Sequence, residues 1–251
     1  MPVICIITNL IFIFGLYLIE HILSTNMETI CIRRLLLITL FLTGSILETK
    51  AQDTTCVDLG LSVKWATCNL GAESPEQYGD YYAWGETETK TKYDWTTYKW
   101  CKGKFGTLTK YCFQDVRNLG IVDNKTELDP EDDVAFIKLG GRWRMPTKEE
   151  FDELINNCSW ERSIINGING FKFTSKINGN SIFFPAAGSY SSESLWVEGS
   201  QGTYLSSSLD TICSNAAYGM YFILDTNGEG YFSDGIPFRW EGASVRPVME
   251  K

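Results

Sequence analysis

Downstream of residue 56 the apolar positions change pattern twice, and each change predicts a different kind of element. Over residues 57–84, VDLGLSVKWATCNLGAESPEQYGDYYAW, they fall in short runs broken by Gly and Pro, which predicts strands and turns rather than a helix. Two helical segments follow. In DPEDDVAFIKLGG, Asp129 is placed to cap and Pro130 suits the first helical position. Glu131, Asp132 and Asp133 favour the positive end of the helix dipole, and Gly140 stops the helix. In RMPTKEEFDELINNC, Thr147 and Glu150 have capping-box spacing, and Phe151, Leu154, Ile155 and Cys158 share one face. From Phe171 onward the pattern is again that of strands. FKFTSKI and SIFF flank Asn178-Gly179-Asn180, whose Asn-Gly step signals a hairpin. TYLSSS, AAYGMYFIL, EGYFS and ASVRPV read as further strands, the middle two separated by Asp225 to Gly228. No repeat of fixed period occurs. Strands, two helices and then an antiparallel sheet predict an α+β single domain.

Two longer apolar runs, 3–19 and 35–47, precede this domain. Arg33 and Arg34 stand before the second run and small residues follow it, which is the form of a secretory signal. Met27 is then the expected start and 27–51 the signal peptide, with cleavage near Ala51 and Gln52. Residues 1–26 become an upstream extension or extra apolar segment, and 52–251 the domain. A membrane anchor at 3–19 ranks second, because the run is at the short limit for spanning and contains Thr8 and Asn9.

Charge and residue counts narrow the chemistry. Lys and Arg number 22 against 31 Asp and Glu, a net charge of -9, and no basic stripe is present, so nucleic acid is not an expected partner. The one histidine, His21, lies in the leader. A trimmed chain would therefore lack a Ser/His/Asp triad, a Cys/His pair and an HExxH zinc site. Six cysteines fall in the domain: Cys56, Cys68, Cys101, Cys112, Cys158 and Cys213. Six allow about 15 connectivities; Cys101 with Cys112, flanking KGKFGTLTKY, is the preferred disulfide, with small buried thiols as the alternative. The acidic run 129–133 lacks the spacing and glycine of a calcium loop, and helix capping accounts for it, so neither a metal nor a cofactor is expected.

Several ordered phrases carry a resemblance. VDLGLSVKWATCNLGA, YGDYYAWGET, LTKYC, LDPEDD, GGRWRMPTKEEFDELINNC, NGNSIFFPAAG, YLSSS and ASVRPV resemble the Fibrobacter succinogenes major paralogous domain, a family of exported proteins of Bacteroidetes-type bacteria, over nearly all of 57–248. The resemblance implies a C-type-lectin-like fold: two helices packed on a small twisted antiparallel sheet with long loops, the last strands and loops contacting ligand. Two departures limit what it implies. The oxidase members of the wider fold need a reactive C-terminal cysteine pair, whereas only Cys213 lies beyond residue 158. The EPN, QPD and WND strings of calcium-dependent lectins do not occur.

The expected function is an exported, non-enzymatic binding or adhesion module that recognises a glycan or a surface protein through its C-terminal strands and loops, in the periplasm, at the cell surface or outside the cell. By position in that fold, the contact residues would be Tyr190, Trp196, Tyr204, Ser206, Ser208, Tyr218, Tyr231, Asp234, Arg239 and Trp240, with Tyr204 and Trp240 foremost; packing or a solvated loop is the alternative for each. The aromatic-rich first half, including Trp65, Trp84, Trp95, Trp100 and Tyr98, reads as core packing ahead of a sugar-stacking platform. Two other functions compete. One is a glycoside hydrolase with two carboxylates about 5–9 Å apart, for which Glu86, Glu193, Glu229, Asp234 and Glu241 are candidates by loop position. The other is a structural subunit of a surface appendage. Asp53-Thr54-Thr55 and Asp210-Thr211-Ile212 also resemble a three-residue O-glycosylation pattern.

Overall fold

A computed structural model describes residues 55–113, 120–224, 230–235 and 237–251. The extension 1–26 with His21, the signal segment 27–51, the cleavage site at Ala51 and Gln52, Asp53, Thr54, Glu229 and the side chain of Asp234 lie outside the described residues. No helix among the described residues is long and apolar enough to cross a membrane.

Strands dominate the domain, and they are distributed over four sheets. The first sheet has the order β1 (Cys56–Val57), β2 (Val63–Ala66), β14 (Val248–Glu250), β4 (Trp143–Arg144). The second has the order β12 (Gly230–Gly235), β11 (Ala217–Leu224), β10 (Gln201–Leu209), β13 (Ala243–Ser244), β3 (Tyr81–Tyr82). Strands β5 (Cys158–Ile165), β6 (Ile168–Ser175) and β7 (Ser181–Pro185) form a third, and β8 (Ser189–Ser191) with β9 (Ser194–Trp196) a ribbon. Two hairpins of the third sheet follow from Asn-Gly steps. The expected one at 178–180 joins β6 to β7, with Thr174 opposite Ser181. A second, at Asn166-Gly167, joins β5 to β6; both residues take positive φ, 50° and 83°, as a tight two-residue turn requires.

The expected pair of helices on one small sheet is not what forms. Among the described residues α2 (Lys148–Asn157) is the one full helix, while α1 (Val134–Leu139) has six residues. The acidic run explains the shortfall. Asp129 makes no side-chain cap; Pro130–Asp132 turn as a 3₁₀ segment, and Asp133 caps α1 instead, accepting from the Phe136 N–H at 3.0 Å and the Met145 N–H at 2.9 Å. Asp132 is turned away into an ion-pair cluster. With Gly140 ending the helix on the far side, fewer than two turns remain, too few to be stable without tertiary support. Helix α2 follows its sequence: Thr147 Oγ1 accepts from the Glu150 N–H, and the Glu150 carboxylate accepts from the Thr147 N–H at 2.9 Å.

One core joins these layers. Trp65 of β2 lies 5.4 Å from Phe151 of α2 and 6.0 Å from Phe184 of β7. Phe171 and Phe173 of β6, Tyr204 of β10, Met220 and Phe222 of β11 and Val248 of β14 complete the cluster. Arg246 closes it from the C-terminal side, fully buried. Its guanidinium donates to Asn69 Oδ1 at 2.9 Å and to the carbonyls of Ala66, Thr67 and Phe183 at 3.1, 2.9 and 2.9 Å. Desolvation lowers its pKa from the usual arginine value.

Replacing Thr147 by Ala removes the side-chain cap of α2 and leaves the Glu150 N–H without its acceptor. Urea unfolding should show a loss of about 1 kcal/mol with an unchanged denaturant slope.

Candidate functional site

The segment Pro237–Gly242, between β12 and β13, alternates outward and inward side chains. Phe238 is 45% exposed, Arg239 is fully buried, and Trp240 is half-buried. The backbone is held at each step. Ala217 N–H donates to Pro237 O at 3.1 Å, Arg239 N–H to Asn215 O at 3.1 Å, and Trp84 N–H to Arg239 O at 2.9 Å. Gly242 and Tyr190 exchange both backbone bonds, at 3.0 and 2.7 Å.

Arg239 has no carboxylate partner among the described residues. Its Nε donates to Tyr98 Oη at 2.8 Å, one terminal nitrogen to the carbonyls of Tyr111 and Ser214 at 2.8 and 2.9 Å, and the other to Lys110 O at 3.0 Å. The faces of Trp84, Tyr98 and Tyr111 stand 4.8, 5.3 and 5.9 Å from the guanidinium carbon. Tyr98 Oη in turn donates to Trp84 O at 2.8 Å, and burial pushes the Tyr98 pKa above the usual tyrosine value. Tyr111, whose carbonyl is one of the acceptors, is held at φ 59°, a conformation that costs a non-glycine residue free energy. It is fixed there by Asp123, which accepts from its N–H at 2.7 Å, and by a bond from its own hydroxyl to Asp132 at 2.7 Å.

With Arg239 pinned inward, Phe238 and Trp240 form an offset stack, their rings 10° from parallel and 5.9 Å apart between centroids. Trp240 continues to Trp95 at 6.4 Å, and Trp95 to Phe105 at 5.8 Å. Phe105, at the tip of the 101–108 hairpin, is 55% exposed. The result is a strip of four aromatic rings in unbroken contact with both ends open. The buried Nε1–H of Trp240 meets no acceptor among the described residues, so one hydrogen bond on the strip is unmade. The Glu241 N–H donates to Phe238 O at 3.0 Å, and burial raises the pKa of its carboxyl above the usual glutamate value.

The expected contact residues divide sharply. Trp240 lies on the strip. Tyr204 does not: it is fully buried, and its hydroxyl donates to Pro185 O at 2.7 Å, with burial pushing its pKa up to about 12. Arg239 is a buried anchor rather than a ligand contact. Ser206 and Ser208 are also interior, because β10 is a central strand covered on both faces. Ser206 Oγ donates to Tyr218 O at 2.7 Å, and Ser208 Oγ accepts from the Lys148 N–H at 3.0 Å. Tyr190 packs between Tyr81 and Tyr93, at 4.9 and 5.6 Å, beneath the segment that carries Trp240. Tyr218 lies on β11 under the Lys148 ammonium, 5.5 Å away. Trp196, on β9, is 58% exposed, and Tyr231, on β12, is 53% exposed; among the described residues no ring contact joins either to the strip. Phe105, Trp95 and Phe238 were not expected as contacts. A single aromatic inside the glycine-flanked KGKFG, and the aromatic–Arg–aromatic order of Phe238–Trp240, are the sequence signals that mark them.

The other expectations are also placed. Cys101 is a thiol whose sulfur donates to the carbonyls of Trp95 and Tyr98, at 3.0 and 3.5 Å, so the Cys101–Cys112 disulfide is not made. Of the hydrolase carboxylates, Glu86 pairs with Lys90 at 2.9 Å and accepts from the Lys99 N–H at 2.7 Å, while Glu193 is exposed in the β8–β9 turn. Thr211 of the second O-glycosylation pattern is half-buried, and Asp210 before it accepts from the Ile212 N–H at 2.8 Å. Asp129, Glu131 and Asp132 do converge, but the Lys110 ammonium occupies the position a cation would take, 2.6, 3.8 and 2.6 Å from their oxygens. Burial opposes ionisation of Asp132, yet the bonds from Lys110, Tyr111 and Lys99 hold its carboxyl below the usual range. No protein-family model, curated protein or solved structure matches the chain.

Arg239→Met leaves one hydroxyl and three carbonyls without their donors. It should cost at least about 3 kcal/mol in urea unfolding and shift the tryptophan emission of the folded state. Glu241 prefers its neutral form when folded, so ionisation penalises the fold as pH rises from 4.5 through its raised pKa. Glu241→Gln should therefore be more stable than the parent at about pH 7 and match it near pH 4, as read by thermal unfolding across that range.

Proposed function

We propose that the chain is an exported, non-enzymatic binding module that holds an extended glycan along Phe105, Trp95, Trp240 and Phe238. The observation that carries this reading is the strip itself: four rings in contact, the two end residues about half exposed, on a backbone fixed from below by Arg239. Exposed apolar surface marks interaction sites, and here Phe105 and Phe238 are exposed at the ends while Trp95 and Trp240 pack partly on the cluster of Tyr93 and Tyr98. Sugar rings present C–H faces that stack on aromatic faces, and the exposed Phe238 ring, backed by Trp240, offers one such face. Ring centroids recur every 5.8–6.4 Å, on the scale at which sugar units recur along an extended glycan.

Rigidity adds to this. The Phe238–Trp240 backbone is hydrogen-bonded on both sides and anchored through the guanidinium between the two rings, so little conformational freedom is lost on binding. Residues 52–251 contain no histidine, which favours recognition by contact over proton transfer. The signal-like leader and the ordered phrases shared with a family of exported proteins support the same reading. The hydrolase reading draws no support from Glu86, whose carboxyl is engaged by Lys90 and the Lys99 N–H.

A glycan array probed with the purified protein should give specific retention. Trp240→Ala and Phe238→Ala should each weaken it about tenfold, as loss of a stacking ring does. Retention of no glycan above background overturns the reading.

A further inference from the structure

The hairpin that carries Phe105 also carries charge. Its ends meet at a bridge between Cys101 and Leu108, the Lys102 N–H donates to Thr107 O at 3.1 Å, and Thr107 Oγ1 donates to Lys104 O at 2.6 Å. Gly103 and Gly106, at φ 74° and 76°, supply the two left-handed positions that so tight a tip requires. The tip is therefore a tied loop, and Lys102, Lys104 and Phe105 are all exposed on it.

The two lysines stand apart from their neighbours. Elsewhere between residues 86 and 138 the described lysines are matched by carboxylates: Lys90 by Glu86, Lys92 by Asp94, Lys99 and Lys110 by Asp132, Lys125 by Asp129 and Lys138 by Glu88. Lys102 and Lys104 have no ion-pair partner among the described residues, on a chain whose net charge is -9. The carboxyl groups next to the strip do not offset them. Asp94, beside Trp95, is engaged by Lys92 and Thr96, and burial disfavours the charged form of Glu241. The open end of an otherwise uncharged aromatic strip is thus locally cationic.

We infer that the glycan held on this strip is acidic, its uronate or sulfate groups paired with Lys102 and Lys104 while its rings stack on Phe105, Trp95, Trp240 and Phe238; this rests on the function proposed above. An uncharged glycan gains nothing from the two ammonium groups, whereas an acidic one gains a pairing that acts over a Debye length of about 10 Å and weakens with salt. The net negative charge of the rest of the chain opposes any polyanion that does not reach this end, which confines acidic ligands to the strip.

Titration calorimetry of the full chain with polygalacturonate, a sulfated galactan and an uncharged galactan tests this. At low salt at least one acidic polymer should bind about tenfold more tightly than the uncharged one, with the gap closing as salt is raised. The preferred polymer tells carboxylate from sulfate. The double change Lys102→Gln with Lys104→Gln should abolish the gap and leave both the uncharged galactan and the unfolding midpoint unaffected, while Trp240→Ala weakens all binding. Equal affinity for the three polymers, or a gap that survives the lysine changes, overturns the inference and leaves the strip standing. Loss with the lysine changes but not with Trp240→Ala keeps the acidic ligand and removes the strip. Failure of all three polymers to bind removes both.

Discussion

Taking a guanidinium out of water costs several kcal/mol unless its donors are matched, and a domain normally meets that cost with a carboxylate. Arg239 meets it with three main-chain carbonyls, a tyrosine hydroxyl and three aromatic faces. Main-chain acceptors are fixed by the path of the chain, so this solution works only if four separate stretches hold their places together: residues 98, 110–111, 214 and 239. Long irregular segments that would otherwise be weakly ordered are thereby stitched to one charge. The strained φ of Tyr111 belongs to the same arrangement, because its carbonyl is one of the acceptors.

Arg246 repeats the device at the core around Trp65. Its acceptors, Ala66, Thr67, Asn69 and Phe183, bind the exit of β2 to the middle of β7. The buried serines of β10 act in the same manner with smaller groups. Ser206 O accepts from the Trp84 indole N–H at 2.9 Å, Ser207 Oγ donates to Glu127 at 2.7 Å, and Ser208 Oγ receives the N-terminal turn of α2. The register of β10 with β11 shifts between Leu205 and Leu209, so these three residues leave the regular ladder and their polar groups serve the surrounding loops.

What could be read from the sequence was what depends on neighbours in the sequence. The Thr147–Glu150 capping box and the Asn178-Gly179 hairpin are local devices, and both formed where the residues indicated. Asn166-Gly167 carries the same hairpin signal but was hidden, because β5 is an edge strand whose exposed face reads as polar loop after α2. Tyr204 and the serines misled for the opposite reason. A central strand covered on both faces has no outward side, so hydroxyl-bearing residues there look like surface. Arg239 was illegible in principle: an arginine between two aromatics in a loop is ordinarily exposed, and only the converging carbonyls make its burial tolerable. Trp240 was legible as a loop aromatic. Phe105 is marked as an exposed loop aromatic by KGKFG, but its nearness to Trp240 through Trp95 is not, since both come from a part of the chain more than a hundred residues earlier.

Strand β14 pairs with β2, setting Val248 opposite Trp65, and Arg246 reaches Asn69 across 177 positions of sequence. The principal core therefore closes only when stretches 177 positions apart come together, and contacts this distant in sequence form slowly.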